Sequence, residues 1–206
     1  MKVILINGSP NENGCTGTAL KEMETVLNAQ GIETKTYQIG NKDVRGCIAC
    51  GKCSKTGKCV FSDIVNEVAA EFETADGIVF GSPVYYAHAN GTLLSFADRL
   101  FYSTRFSKCM KVGAAVVSSR RAGSTSAFDD INKYFTISGM PIASSTYWNE
   151  VHGFCAEDVQ KDKEGLQTMR NLANNMAFLI KSIALGKEKF GVPVQERGEF
   201  TSFQQY

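Results

Sequence analysis

Gly77-Ile78-Val79-Phe80-Gly81-Ser82-Pro83-Val84-Tyr85-Tyr86 is the stretch that decides the fold. Its apolar run is short, has no polar position and is bounded by glycines, which predicts a core strand over 77–81, covered on both faces. Lys2-Val3-Ile4-Leu5-Ile6-Asn7-Gly8-Ser9-Pro10 repeats the pattern near the start and predicts strand one over 2–7. Outward from these two, short apolar runs alternate with longer segments of helical period. Residues 32–39 predict strand two, 112–117 strand four and 141–148 strand five. Helices are predicted from about Thr16, with Leu20, Met23, Val26 and Leu27 inward and Gly31 past its end, and from Ile64, N-capped by Asp63 with Val68 and Phe72 inward. Further helices are predicted over 92–102, over 125–138 with Gly139 closing it, and over 165–183. Five strands with crossover helices imply a three-layer, doubly wound α/β sandwich with a parallel sheet in the order 2-1-3-4-5. Such a sheet binds its ligand at the carboxyl ends of strands one and three.

Bulk properties narrow the classes. The 206 residues suit one domain, and 43% apolar with 21% charged residues is ordinary for a folded chain. A formal charge of +1 gives no field for nucleic acid or an anionic membrane. No apolar run approaches the ~20 residues of a membrane helix, and the first apolar stretch is too short for a signal peptide. A cytoplasmic protein is expected. The organisation expected is one domain over 1–186, a cysteine-rich insertion at 46–60 and a tail at 187–206. Seven cysteines are present, with Cys47, Cys50, Cys53 and Cys59 clustered. Such clustering in a cytosolic chain points to a metal, an iron–sulfur cluster or a redox pair rather than a secreted disulfide framework.

The loop after strand one, Gly8-Ser9-Pro10-Asn11-Glu12-Asn13-Gly14-Cys15-Thr16-Gly17-Thr18, crowds small and hydroxyl residues at a strand-to-helix turn. Backbone N–H groups, hydroxyls and the positive end of the helix can converge there on one anion. No lysine is present to handle a phosphate in transfer, and no GxGxxG pattern marks a dinucleotide. A terminal phosphate held as an anchor needs neither. The alternative is a polar loop ahead of a capped helix.

After strand three, Gly81-Ser82-Pro83 is read as a sharp turn, followed by Val84-Tyr85-Tyr86-Ala87-His88-Ala89-Asn90-Gly91, where a flat apolar ring can stack. The two coupled segments, with Asp98-Arg99 behind the second, resemble the NADPH-dependent FMN reductases of the flavodoxin-like superfamily over residues 1–183. The resemblance implies a flavodoxin-like fold and non-covalent FMN. Ser9, Asn11, Thr16, Gly17 and Thr18 then hold the phosphate, Pro83, Val84, Tyr85 and Tyr86 line the ribityl chain and ring, and Asn90 and Gly91 shape the ring edge. Leu94 stands where such proteins often have lysine. In similar proteins the loop after strand four contacts the flavin too, which nominates Ser119, Arg120 and Gly123. Arg120 and Arg121 either face a reduced flavin or a pyridine-nucleotide phosphate, or are solvated. Asp98 and Arg99 are read as a structural helix-end pair.

Cys47-x2-Cys50-x2-Cys53-x5-Cys59 can wrap around one small object, and its first three cysteines follow the ferredoxin-type [4Fe–4S] spacing. The spacing resembles the iron–sulfur flavoproteins, a group with this fold whose compact cysteine motif follows strand two. Zinc, a CxxC dithiol and a plain loop stay open as alternatives. Cys15 is read as filler in the phosphate loop, and Cys109 and Cys155 as buried thiols. His88 is read as a loop histidine near the flavin. His152 lies in a segment that similar proteins share after strand five. Phe190, Phe200, Phe203 and Tyr206 suggest a docking tail, in a homodimer or larger homo-oligomer. No side-chain catalytic group is nominated, since hydride and electron chemistry belongs to the flavin. Two functions follow. One is an NAD(P)H-dependent FMN oxidoreductase that reduces a quinone, nitro compound or flavin. The other is an iron–sulfur flavoprotein that exchanges single electrons with a ferredoxin-like partner. A third, an FMN-binding protein with zinc-bound cysteines and slow turnover, also stays open.

Overall fold

The computed structural model describes residues 1–196, 198, 199 and 201. Along the chain lie β1 (Lys2–Asn7), α1 (Cys15–Ala29), β2 (Glu33–Gln38), α2 (Cys53–Thr56), α3 (Ile64–Thr74), β3 (Gly77–Tyr85), β4 (His88–Ala89), α4 (Gly91–Ser103), β5 (Val112–Ser119), α5 (Ser124–Ile137), β6 (Glu150–His152), α6 (Ala156–Val159) and α7 (Lys163–Phe190). Five strands pair in parallel in the order β2-β1-β3-β5-β6, and β4 folds back antiparallel on the end of β3. The flavodoxin-like sandwich expected from the sequence is therefore present, with a sixth, two-residue strand added.

Alternation along the central strands makes both faces apolar. Val3, Leu5, Val79, Ala114 and Val116 pack against Leu20, Met23 and Leu27 of α1 and Met169, Leu172 and Met176 of α7. Ile4, Ile6, Ile78, Phe80, Ala115 and Val117 pack against Phe72 of α3, Phe96 and Leu100 of α4, and Ile131 and Phe135 of α5. Burying these side chains on both sides is the main force holding the layers together, at about 25 cal/mol per Å² of apolar surface. Asp63 caps α3 as expected, its carboxylate accepting the Val65 N–H at 3.2 Å.

Several expectations need correcting. Gly81-Ser82-Pro83 is not a turn: β3 runs through it, because β5 is long enough to pair Ser82 with Val117 and Pro83 with Ser118. The reversal comes later, at Tyr86 and Ala87, whose φ values of 50° and 63° place both in the left-handed region. Residues 141–148 do not form a strand. Only Ile142 bridges to Gly113, while the Ser145 hydroxyl donates to the Tyr147 carbonyl and contacts Asn149 Oδ1, both at 2.7 Å, so local bonds replace a ladder. The edge strand forms later, as β6. α7 continues to Phe190, past the boundary expected at 186, so the segment after 187 begins as helix. Phe200, Phe203 and Tyr206 lie outside the described residues. Among the described residues, no helix is long and apolar enough to cross a membrane.

Candidate functional site

Strands β1, β3 and β5 end side by side, and their loops enclose a hollow of about 530 Å³ lined by Ser9, Asn11, Cys15, Thr16, Pro83, Tyr85 and Ser118. The first loop holds itself open. Asn7 Oδ1 accepts the Ser9 N–H at 3.0 Å, Asn7 Nδ2 donates to the Glu12 carbonyl at 3.1 Å, and Ser9 Oγ accepts the Asn11 N–H at 3.2 Å. The Gly8 N–H donates to the Gly81 carbonyl at 2.8 Å, which brings the two Gly-Ser-Pro segments side by side. A Cβ at position 17 would stand 1.9 Å from the Glu12 carbonyl oxygen, so only glycine fits where α1 passes under the loop.

Helix starts differ around the molecule. α3, α4 and α7 are capped by the side chains of Asp63, Asn90 and Asp162. No side chain caps α1, which starts at this hollow, nor α5, which follows the β5 loop. Their first-turn N–H groups, with the positive end of each helix, remain available to an external acceptor. Thr16 and Ser118 share a hydrogen bond of 2.8 Å across the hollow, and Ser119 shares one of 2.9 Å with Ser124. Burial pushes the Cys15 thiol up, with the neighbouring Cys155 adding to it, so no thiolate competes with an anion here.

Beside the hollow, the β3–β4 hairpin presents Tyr86 fully exposed at a strained turn. Gly123, at φ 91°, lets the β5 loop close against it: a Cβ there would stand 2.9 Å from Ala87 Cα and 3.2 Å from Val84 Cγ1. His88 ties the hairpin to α5 through Asp130 at 2.9 Å; burial pushes that carboxyl up, but His88 and Lys133 outweigh it and hold it below its ordinary range. His152 ends β6 beside Ser119, outside the lining of the hollow, its backbone N–H donating to Asp162 at 2.7 Å.

The nominated residues thus fall into groups. Ser9, Asn11, Thr16, Pro83 and Tyr85 share the hollow, and Val84, Tyr86, Ser119 and Gly123 adjoin it. Arg120 is exposed at the tip of the β5 loop. Gly17 and Thr18 line a different depression, beside β2, and the Thr18 hydroxyl donates to the Gly14 carbonyl at 3.0 Å. The Asn90 carboxamide oxygen accepts the N–H groups of Thr92 and Leu93 at 2.8 and 3.2 Å as the α4 cap, and Gly91 opens that helix. Sequence reasoning missed Phe154, Cys155, Ala156 and Glu157, which line the hollow from the α6 side. Cys155 is exposed rather than buried. Its position could not be found from spacing, since only the β6 pairing carries it to the sheet edge.

A second hollow is lined by Cys47, Cys50, Cys53 and Cys59 together with Ile48, Val60, Phe61, Arg99, Tyr102 and Ser103. Four sulfur donors around one apolar space suit a soft metal centre. Left-handed φ values at Ala49, Gly51 and Gly57 wrap the backbone around it, and the Ala49 N–H donates to Cys47 Sγ at 3.4 Å. As they stand, the described residues include no group of three or more His, Cys, Asp or Glu side chains close enough to hold an ion. Asp98 and Arg99 are not a helix-end pair. They lie within α4 with separate partners: Asp98 accepts from Tyr134 at 2.5 Å, and Arg99 pairs with Asp63 at 2.7 and 2.9 Å. One signal was available in the sequence. Arg99 falls on the apolar stripe of Phe96 and Leu100, where a charge needs a buried partner.

Residues 1–154 match the family model of NADPH-dependent FMN reductase. The chain is 34% identical over 191 residues to an iron-sulfur flavoprotein of Methanocaldococcus jannaschii, covering 89% of this chain and 99% of that one. It is 29% identical over 193 residues to an iron-sulfur flavoprotein of Methanosarcina thermophila, covering 92% and 100%. A flavodoxin from the domain Archaea superposes with a TM-score of 0.60 at 18% identity, covering 88% and 99%. The strand order β2-β1-β3-β5-β6 and this superposition make the fold flavodoxin-like. The chain belongs to the NADPH-dependent FMN reductase family, among its iron–sulfur flavoproteins, and is thus a member of an FMN-binding oxidoreductase family.

Proposed function

We propose that this protein is an FMN-dependent electron-transfer oxidoreductase whose cysteine segment carries an iron–sulfur cluster. The observation that carries this reading is that all four clustered cysteines line one apolar hollow, apart from the nucleotide-sized hollow at the sheet edge. Ser9, Asn11 and Thr16, with the free N–H groups of α1, hold the FMN phosphate. Pro83, Val84, Tyr85, Tyr86, Ser119, Arg120 and Gly123 border the ribityl chain and ring, and Asn90 and Gly91 support the hairpin from the α4 start. Cys47, Cys50, Cys53 and Cys59 ligate the cluster. When bound, FMN takes up two electrons together and releases them singly, which is the conversion a one-electron partner requires. The protein positions both groups and presents the exposed Tyr86 hairpin to whatever approaches. A ferredoxin-like protein is the partner this implies.

A second reading, reduction of a small acceptor such as a quinone, nitro compound or flavin with NAD(P)H as donor, is favoured by Arg120 and Arg121. Both are exposed, with no ion pair among the described residues, beside the hollow where a pyridine-nucleotide phosphate could lie. Anaerobic purification with iron and sulfide analysis tests the first reading. It expects brown protein with about four irons per chain, as for one [4Fe–4S] cluster; yellow, iron-free protein would refute it. Rapid bleaching by NADPH or NADH with turnover on a quinone would establish the second.

A further inference from the structure

We propose that Arg99 and Ser103, one turn apart on the inward face of α4, are positioning residues that donate hydrogen bonds to the sulfur centre of the cysteine segment. This rests on the reading that the segment carries an iron–sulfur cluster. Residues 46–52 are exposed throughout, and the polar links holding the 46–60 segment to the domain are few. Asn66 pins one end, accepting the Cys59 N–H at 2.9 Å and donating to the Cys59 and Phe61 carbonyls at 3.0 and 2.8 Å. Arg99 holds the same end from below.

Arg99 is 1% exposed, and each side of its guanidinium has a purpose. NH1 and NH2 form a fork with Asp63, and NH1 also donates to the Arg45 carbonyl at 3.2 Å. Phe61 stacks over the group at 4.9 Å. Nε points elsewhere, at Cys59 Sγ, 3.2 Å away. A charge buried for structural reasons alone would be satisfied by the carboxylate and the carbonyl. The donor aimed at sulfur is additional.

Ser103 supplies an independent observation. It is 3% exposed and lines the same hollow, and its Oγ has no hydrogen-bond partner among the described residues. Buried hydroxyls are rarely left so, because a desolvated donor without an acceptor is destabilising. Sulfur at the centre of the hollow would provide that acceptor. Positions 99 and 103 are i and i+4 on one helix, so both donors address one object. Donors to the sulfurs stabilise the reduced, more negative state of such a centre and raise its potential.

The test compares anaerobically purified Ser103→Ala, Arg99→Lys and Arg99→Met with the parent chain. It measures iron per chain, iron loss to a chelator and the midpoint potential of the iron–sulfur signal by electron paramagnetic resonance titration. Ser103→Ala should keep full iron and FMN, show a more negative potential, and melt no lower than the parent once iron is removed, since it deletes an unpartnered hydroxyl. A purely structural serine would leave the potential unchanged. Arg99→Met should lose iron several-fold faster with a lower potential, and Arg99→Lys, which restores the charge without the Asp63 fork or the Nε donor, should recover only part of each. If the parent holds iron while Ser103→Ala has the parent's potential and spectrum, the proposal is overturned, even should the Arg99 variants fail to fold. If the parent itself holds no iron, the cluster reading fails and this inference with it.

Discussion

The two hollows are built by opposite means. The sheet-edge hollow is made of backbone: three parallel strand ends, a loop braced by Asn7 and Ser9, and a helix start left open. Its walls are set by the same packing that forms the sheet, so it exists before any ligand arrives. The cysteine hollow is made of side chains on an exposed segment, joined to the domain through Asn66 and the buried Arg99–Asp63 pair. Its shape depends on a few polar bonds and on what it binds. The difference teaches that one site is a property of the fold, whereas the other was added to it and needs its own fastening.

Asp63→Ala should give the largest effect. It removes the α3 cap and leaves the Arg99 guanidinium unpaired, a loss of about 3–5 kcal/mol by precedent for broken buried pairs, reduced here by the partial exposure of Asp63. A urea melt should show it, and limited proteolysis should cut within 46–60. Were the segment to stay protease-resistant, the contrast between the two hollows would be wrong. Gly17→Val strikes only the other site. Its side chain collides with the Glu12 carbonyl, and FMN affinity by fluorescence titration should fall at least tenfold, or about 1.4 kcal/mol. Iron content should not change.

Ala87→Gly sharpens the comparison further. The left-handed φ of 63° is unfavourable for alanine, so glycine should gain up to about 1 kcal/mol in thermal unfolding. FMN binding should hold at the parent's level, since glycine keeps the turn that presents Tyr86. The smallest effect is expected far from both sites. Hydrogen bonds from Lys2 and then Lys35 hold the Glu71 carboxyl down at about 2. A depressed acid stabilises the fold above its unfolded value and loses that contribution as pH falls toward about 2. Between pH 5 and 2 the parent should therefore lose slightly more melting temperature than Glu71→Gln, with no change in either cofactor. An equal slope for the two chains would remove Glu71 from the account.

Much of this was legible in the sequence, for identifiable reasons. Buried parallel strands announce themselves as unbroken apolar runs, so β1, β3 and β5 and their order were readable. Asp63 was readable as a cap because the apolar period begins directly after it. Gly81-Ser82-Pro83 misled because local punctuation usually ends a strand, whereas here a neighbouring strand of sufficient length carried the chain through. Residues 141–148 misled because β-propensity describes a half-buried surface, and at the edge of the sheet side-chain bonds to Ser145 competed with the ladder. Arg99 stood out only as a charge on an apolar stripe; what it and Ser103 face was out of reach for another cause. Their importance lies in what a folded-over segment places above them, some forty residues away in sequence.

The open start of α1 has one last effect. An anion seated there would finish the helix as well as occupy the hollow, so loading and folding would draw on the same free energy. Stability would then rise with the logarithm of ligand concentration above its dissociation constant. The unfolding temperature of this chain would thereby read out how full it is, without any assay of turnover.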